Sequence, residues 1–496
     1  MLSLIKKTFY LSSTYAFGDI LMKGIGLLLL PLYTAYLTPK DYGILSIATV
    51  LSTITAIILT LGLNGSALRY YYKLEGTERK KFYGTLWIFL ILFPGIILFM
   101  IELSGGKLFN QLFSQVLYNP YLRLALWTSY ITIAFITIPC ELFKASERAK
   151  SYVCLNIGQF LFTVGMTIWF IVVLKKGAEG ALWAHLIGTA AIGLISAFLL
   201  WKHINLNFDF NLLKQALLYG LPFMPHFLAH WVLGTSDRVI LGRYVSLSDV
   251  GVYSVGYTIG SVMLMFAIAG NNAMIPLFGK LKKSDNNIDV TKLMKMVTYY
   301  ILTITIIGLG IALFSKEIIY LLTPMSYHQA IFVVPWVVLG CFFMGLYFTP
   351  MSILQFISGN TKPIPFCTGI AAGINIALNL WLIPKYGMIV AAITTAFSYF
   401  VMFLGIFVSA NYNTPLPYEY RRISLIMSIG VLTFFLAWNL ASERILLSII
   451  VKFSFILLFF ILLFVTNFFT FQEKQYISKK LNNVKLFMSN AIMGKD

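Results

Sequence analysis

The sequence predicts an all-α polytopic membrane protein of about fourteen transmembrane helices, arranged as two parallel six-helix lobes with two further helices at the C-terminal end. Three observations lead there. The 496 residues are 59% hydrophobic and only 11% charged, with a mean hydropathy of +0.83, far outside the range of soluble chains. Apolar runs of roughly 20 residues, the length that crosses a bilayer core, recur along the whole chain. Residues 36–47, YLTPKDYGILSI, return 208 positions later as YVSLSDVGVYSV, so that Tyr36, Asp41, Gly43 and Ser46 fall on Tyr244, Asp249, Gly251 and Ser254. In the same register Gly62 and Asn64 fall on Gly270 and Asn272. Identical residues at one offset across two helix-loop-helix units mark a duplication.

Hydropathy places the spans near residues 13–37, 42–64, 84–103, 121–140, 151–174, 180–201, 216–244, 250–273, 297–315, 329–351, 366–384, 388–409, 424–440 and 446–468. Continuous apolar runs such as 84–101 exclude a β-barrel, whose strands alternate apolar and polar residues. The first span follows Lys6 and Lys7, is interrupted by Asp19 and Lys23, and has no small-residue cleavage site behind it, so it is expected to stay in the mature protein. In the stretch 359–365, GNTKPIP, the two prolines are expected to hold a tight turn. A shift of six helices restores orientation, so the copies are parallel, and the expected divisions are 1–205, 206–410 and a C-terminal unit 411–496 with a basic tail.

The Lys and Arg residues orient the bundle. Twenty-five fall on the side of the termini, nine on the other and three within helices, which places both termini in the cytoplasm. The formal charge of +19 is therefore a signature of topology and no sign of nucleic-acid binding. Loops of at most roughly twenty-five residues are too short to hold a soluble domain. Cys140, Cys154, Cys341 and Cys367 show no ligand spacing and read as packing residues. Neither a metal nor a cofactor is expected, and the absence of a phosphate-binding glycine loop or a paired carboxylate argues against an enzyme.

Ionised groups at membrane depth cost at least about 2.5–3.5 kcal/mol each, which makes them functional candidates. Lys23 has Asp19 one turn away on its own face; an internal pair and a substrate-binding cation are both open readings. His226, His230 and Asp237 follow spacings of four and seven along helix 7, with Arg238 adjacent. Such a stripe suits a proton or sodium relay; two core histidines and a surface Asp237–Arg238 pair are the alternative. The His-x-x-x-His spacing lacks a third metal ligand. Lys452, seven residues into the last span, is expected to snorkel to the interface. His185 is expected inside a helix, His203 at an interface and His328 in an outer loop.

The stretch SDRVILGRYVSLSDVGVYSVGY, with GIGLLLLPLYTAYLTPKDYGILSI of the first helices, resembles the Wzx-type polysaccharide flippases of the multidrug/oligosaccharidyl-lipid/polysaccharide exporter superfamily, which also holds the MurJ-like lipid II flippases. The resemblance implies two lobes in a V around a cationic cavity, alternating access, and an undecaprenyl-pyrophosphate-linked oligosaccharide as substrate, as in O-antigen assembly. It implies that Lys23 and Arg238 face the diphosphate, while Asp237 with His226 or His230 couples transport to H+ or Na+ in the manner of an antiporter. The expected setting is a bacterial inner membrane, with membrane lipids, a polysaccharide polymerase and a chain-length regulator as partners. A lipid II flippase or a cation-coupled exporter of small amphiphiles is the rival of the same class. A membrane-embedded glycosyltransferase or polymerase and a membrane scaffold are rivals of other classes.

Overall fold

The computed structural model describes residues 26–281, 290–442, 444–471 and 473–475. Among these, thirteen helices are long and apolar enough to cross a membrane, and the shorter apolar helix Gly26–Tyr36 precedes them. In chain order they are α1 (Gly26–Tyr36), α2 (Pro39–Thr60), α3 (Gly76–Leu103), α4 (Tyr118–Ala145), α5 (Ala149–Val173), α6 (Gly177–Trp201), α7 (Phe210–Tyr244), α8 (Leu247–Ile275), α9 (Val290–Leu313), α10 (Val334–Ser358), α11 (Pro363–Tyr386), α12 (Met388–Asn413), α13 (Tyr420–Asn439) and α14 (Ile445–Val465). No strand occurs among the described residues. Each expected span has its helix, the first only from Gly26 onward, so Asp19 and Lys23 lie outside the described residues.

Several helices begin earlier than hydropathy suggests, because polar residues wind or cap their first turns. α7 starts at Phe210, where the Asp209 carboxylate accepts from the backbone N–H groups of Asn211 and Leu212. α3 begins at Gly76, ahead of its apolar run. The tight turn expected at 359–365 is present at residues 359–362, but Pro363 and Pro365 lie beyond it and open α11, where a first-turn residue needs no N–H to donate. Gly359, with φ +74°, ends the preceding helix in the left-handed region.

The duplication appears as geometry. Thr38 and Asp41 form a capping box at the start of α2, with Asp41 N donating to Thr38 Oγ1 at 3.2 Å and Thr38 N to Asp41 Oδ2 at 3.2 Å. Ser246 and Asp249 repeat it at α8, at 3.1 and 3.3 Å. The repeated aspartates are thus helix caps. The two copies also meet: Ser46 Oγ lies 2.7 Å from Ser254 Oγ, its own equivalent at an offset of 208. A Cβ on Gly43 would lie 2.0 Å from Leu247 O, and one on Gly251 would lie 1.9 Å from Pro39 O. Residues 43 and 251, and 39 and 247, are each pairs at the offset of 208, so α2 and α8 cross about a local two-fold axis with their backbones touching.

That crossing has a measurable consequence. Gly43→Ala or Gly251→Ala pushes a methyl into a carbonyl of the opposite helix and is expected to lower stability by about 3 kcal/mol, the upper range of overpacking. Gly65→Ala, at a position with nothing within 4 Å, should leave thermal unfolding in detergent unchanged. Equal melting of all three variants would contradict the close crossing.

α7 is built in two parts. Its first helix, Phe210–Gly220, gives way to a 3-10 turn at Leu221–Phe223, with Pro222 inside the turn and Pro225 in the first turn of the helix that follows. The segment leading up to that turn is fastened to the first six helices. Asn205 N donates to Lys80 O at 2.9 Å, Lys81 Nζ pairs with Asp209 at 2.7 Å, and Ser66 Oγ donates to Ala216 O at 2.6 Å. Gly220 abuts Gly62, where α2 breaks through the left-handed pair Leu61 and Gly62 into the short helix Leu63–Tyr71. The second part, Met224–Tyr244, packs on α11 and α2. The expected division after residue 205 therefore precedes a stretch that packs with the first half.

The last two helices stand apart from the duplication and lean on α9. Here the expectation for Lys452 is corrected. It does not snorkel: it is 2% exposed and donates to both oxygens of Glu317 at 2.7 Å, while Ser448 Oγ donates to Glu317 Oε1 at 2.6 Å. Glu317 sits on the short helix Ser315–Leu322 after α9, close enough that pairing beats extension to water. Burial pushes its carboxyl up, but the Lys452 and Ser448 hydrogen bonds hold it below the usual carboxylate range. A second buried cation, Arg422 on α13, pairs with Glu419 at 3.0 Å and Glu473 at 3.2 Å.

Candidate functional site

The charged centre of the bundle lies beside the α2–α8 crossing. Asp237 and Arg238 on α7 are 1% and 7% exposed, so the surface pair considered from sequence is instead a buried one. Adjacent residues on a helix point about 100° apart, and they meet because the guanidinium curls back: Arg238 Nη1 donates to Asp237 Oδ1 at 3.1 Å and to Gly234 O at 3.0 Å. The Arg238 backbone N–H donates to the same Oδ1 at 2.8 Å, and Tyr253 OH donates to Oδ2. The Arg238 guanidinium also lies 4.1 Å from the ring centre of Tyr257. Tyr253 and Tyr257 flank Ser254, which joins the node directly to the crossing.

The carboxylate is thus fully engaged, but the guanidinium is not. No described hydrogen bond uses Arg238 Nε or Nη2, and neither is among the fully enclosed atoms without a partner. Among the described residues, two donors of a planar fork are left without a partner at the edge of the node, the geometry that suits a phosphate or diphosphate.

His226 and His230 meet edge to face, with ring centres 4.8 Å apart, and His226 Nδ1 is buried with no partner among the described residues. Both rings are half-buried. The described hydrogen bonds of Asp237 all go to Arg238 and Tyr253, so the stripe divides into a histidine pair and an Asp–Arg node on the same helix. Between them Trp231 Nε1 donates to Thr53 Oγ1 of α2 at 3.1 Å, tying α7 to the first half. Among the described residues no three His, Cys, Asp or Glu side chains form a group fit for a metal ion. His185 Nε2 lies 3.3 Å from Tyr33 OH, between α6 and α1. His203 bonds Arg148 at 2.8 Å, and His328 stacks on Tyr320 with ring centres 4.2 Å apart.

A polar chain that the sequence reading missed runs between α11 and α12. Asn379 Nδ2 donates to Asn375 Oδ1 at 3.0 Å, Asn375 Nδ2 to Thr395 Oγ1 at 3.3 Å, and Thr394 Oγ1 to Asn379 Oδ1. Both asparagines are 0% exposed on the helix that packs against α7. Their spacing of four, Asn375 and Asn379, was the available signal, since two amides on one face of an apolar helix need partners.

Around the crossing the halves are held by further bonds at the end where α2 and α8 begin. Thr34 Oγ1 donates to Leu322 O at 3.1 Å, Tyr327 OH to Leu37 O at 2.9 Å, and Gln115 Nε2 to Val245 O at 3.0 Å. Leu37 and Val245 are again equivalents at the offset of 208, and each accepts from the opposite half.

This fold, two parallel helical halves with a buried charged node beside their crossing, is shared with solved membrane proteins. The structure aligns with "Lipid II flippase MurJ, inward closed conformation" at a TM-score of 0.73 and 16% identity, covering 91% of this chain and 98% of that one. It aligns with an inward-facing multidrug resistance MATE family transporter of the MOP superfamily at 0.63 and 14% identity, covering 82% and 96%. Residues 4–282 match the family described as polysaccharide biosynthesis protein, and residues 222–381 match the MatE family. The chain belongs to the polysaccharide biosynthesis protein family. It is 25% identical over 326 residues, 63% of this chain and 76% of the relative, to the Lsg locus protein 1 of Haemophilus influenzae.

Proposed function

We propose that this protein is a flippase that moves an undecaprenyl-pyrophosphate-linked oligosaccharide from the cytoplasmic to the outer leaflet of the bacterial inner membrane by alternating access. The observation that carries the reading is a buried guanidinium beside the crossing of the halves, with two donors that no described residue occupies, in a chain of a polysaccharide biosynthesis family. A diphosphate and its sugars need a polar route because hydrocarbon offers them no hydrogen bonds, while the prenyl chain can remain in lipid. Arg238 supplies one partner for the diphosphate and Lys23 the other. With the basic loops inside, the bonded end of the bundle faces outward, and the crossing closes the route from that side.

Ion coupling rests on Asp237, His230 and His226. A proton on Asp237 removes the charge that holds Arg238 Nη1, so protonation and release of the guanidinium toward substrate are one event; the histidine pair below passes the proton along α7. Asp237→Asn should then keep or tighten binding of the lipid-linked sugar while transport loses its dependence on the proton gradient. Unchanged gradient dependence in Asp237→Asn, His230→Ala would refute this coupling; dependence on a sodium gradient would refute its proton form.

The function itself is tested by depletion in a strain that assembles a surface polysaccharide. Undecaprenyl-pyrophosphate-linked oligosaccharide should accumulate out of reach of externally added glycosidase, and surface polysaccharide should vanish. Accumulation of lipid II instead would assign the protein to the other lipid-linked substrate.

A further inference from the structure

A groove lies away from the crossing, between α5 and α6. Lys150, Ser151, Cys154, Leu155 and Gly158 on α5 and Ile192, Ile195 and Leu199 on α6 line a groove of about 370 Å³, within the range of small-molecule sites. Its walls are apolar except at the end where α5 begins. There Lys150 is exposed and, among the described residues, has neither an ion pair nor a hydrogen bond. Lys202, exposed at the end of α6, is in the same condition.

Arg148, one residue before α5, is exposed and donates from Nη1 to His203 Nε2 at 2.8 Å. His203 Nδ1 lies 3.1 Å from Leu199 O, a carbonyl that can only accept. An imidazole has no negative charge to offer, so this contact leaves the arginine's charge uncompensated. The turn also holds one acid, Glu147, against the three cations, so the rim is net positive. Neighbouring Lys144 is different: it is paired with Glu141 at 3.1 Å.

An apolar groove between two transmembrane helices, opening at the membrane interface under a rim of uncompensated cations, fits one class of occupant. The cations attract an anionic headgroup, each by about 1 kcal/mol near the surface. Each methylene that leaves water or a poorly packed surface adds to the chain's hold in the groove. We infer that the α5–α6 groove binds an anionic phospholipid, with an acyl chain along the open wall formed by Cys154, Ile195 and Leu199 and its phosphate at Lys150, Arg148 and Lys202. This site is separate from the transport node and does not depend on the proposed flippase activity.

Cys154 lines the groove and is exposed, so it reports occupancy directly. The test uses full-length protein in nanodiscs of phosphatidylcholine, with or without added phosphatidylglycerol, and follows maleimide labelling of Cys154 by peptide mass spectrometry. Phosphatidylglycerol should slow labelling of Cys154 several-fold and leave Cys140 unchanged. The protection should be lost in Arg148→Gln, Lys150→Gln, Lys202→Gln. Should that triple variant express poorly, Gly158→Leu, which fills the groove and leaves the rim, should reduce the number of phosphatidylglycerol molecules retained in native mass spectra of the detergent-purified protein. Equal labelling in both nanodiscs would overturn the inference. So would protection by a short-chain prenyl diphosphate and none by phosphatidylglycerol, which would make the groove an entry for the transported lipid.

Discussion

Oxidising a Ser46→Cys, Ser254→Cys variant should abolish transport, and reduction should restore it. The two hydroxyl oxygens are 2.7 Å apart, and the helices that carry them touch backbone to backbone three residues earlier, at Gly43 and Gly251. Sulfur atoms placed there can close a disulfide with little movement. If the halves must part at this end for substrate to leave, a covalent tie across the axis holds the protein in one state, and activity should fall to that of cells without it. The four native cysteines, Cys140, Cys154, Cys341 and Cys367, are first replaced so that the new pair alone responds. Full transport by the oxidised protein would mean that the crossing is a fixed pivot, and the alternating-access account would need another gate.

Lys452→Met should destabilise the protein by about 3–5 kcal/mol, the usual cost of stranding one member of a buried ion pair. Glu317 accepts two bonds from Lys452 and one from Ser448, and its side chain is 11% exposed, so water cannot replace the ammonium. Glu317→Leu, Lys452→Met together should recover most of the loss, because a matched apolar pair carries no desolvation cost. The effect is pH-dependent with a defined sign. Glu317 has a depressed folded-state pKa, so the pair's contribution is complete above the ordinary glutamate pKa of about 4.3 and is lost as pH falls through the lower folded value. The difference in melting temperature between wild type and Glu317→Gln should therefore be constant near neutrality and shrink on acidification. A difference that is unchanged down to pH 3 would contradict the pairing.

How much of this was legible in the sequence follows from where each signal resides. Helix number and the repeated loops are local and periodic, and the capping residues Thr38, Asp41, Ser246 and Asp249 recur at one offset, so the fold class could be read directly. The Asp237–Arg238 node was visible as charge in an apolar helix. Its closure was not, because Tyr253 and Tyr257 come from the next helix and only the crossing brings them over the guanidinium. Lys452 was misjudged for the same reason: its partner is 135 residues away on a short helix that reads as a loop. The break in α7 was signalled by Pro222 and Pro225, but the attachment of residues 205–220 to the first half depends on backbone contacts at Gly84 and Gly62 that no side-chain pattern announces.

Movement of a lipid-linked sugar across the bilayer can be read directly. The direct measurement uses purified protein in proteoliposomes loaded on one leaflet with undecaprenyl-pyrophosphate-linked oligosaccharide, and reads its appearance in the other leaflet with a membrane-impermeant glycosidase. Wild type should expose the sugar within minutes under an imposed ion gradient, and the oxidised Ser46→Cys, Ser254→Cys protein should expose it no faster than empty liposomes. Exposure by wild type at the empty-liposome rate, with the protein folded and a gradient present, would contradict the account.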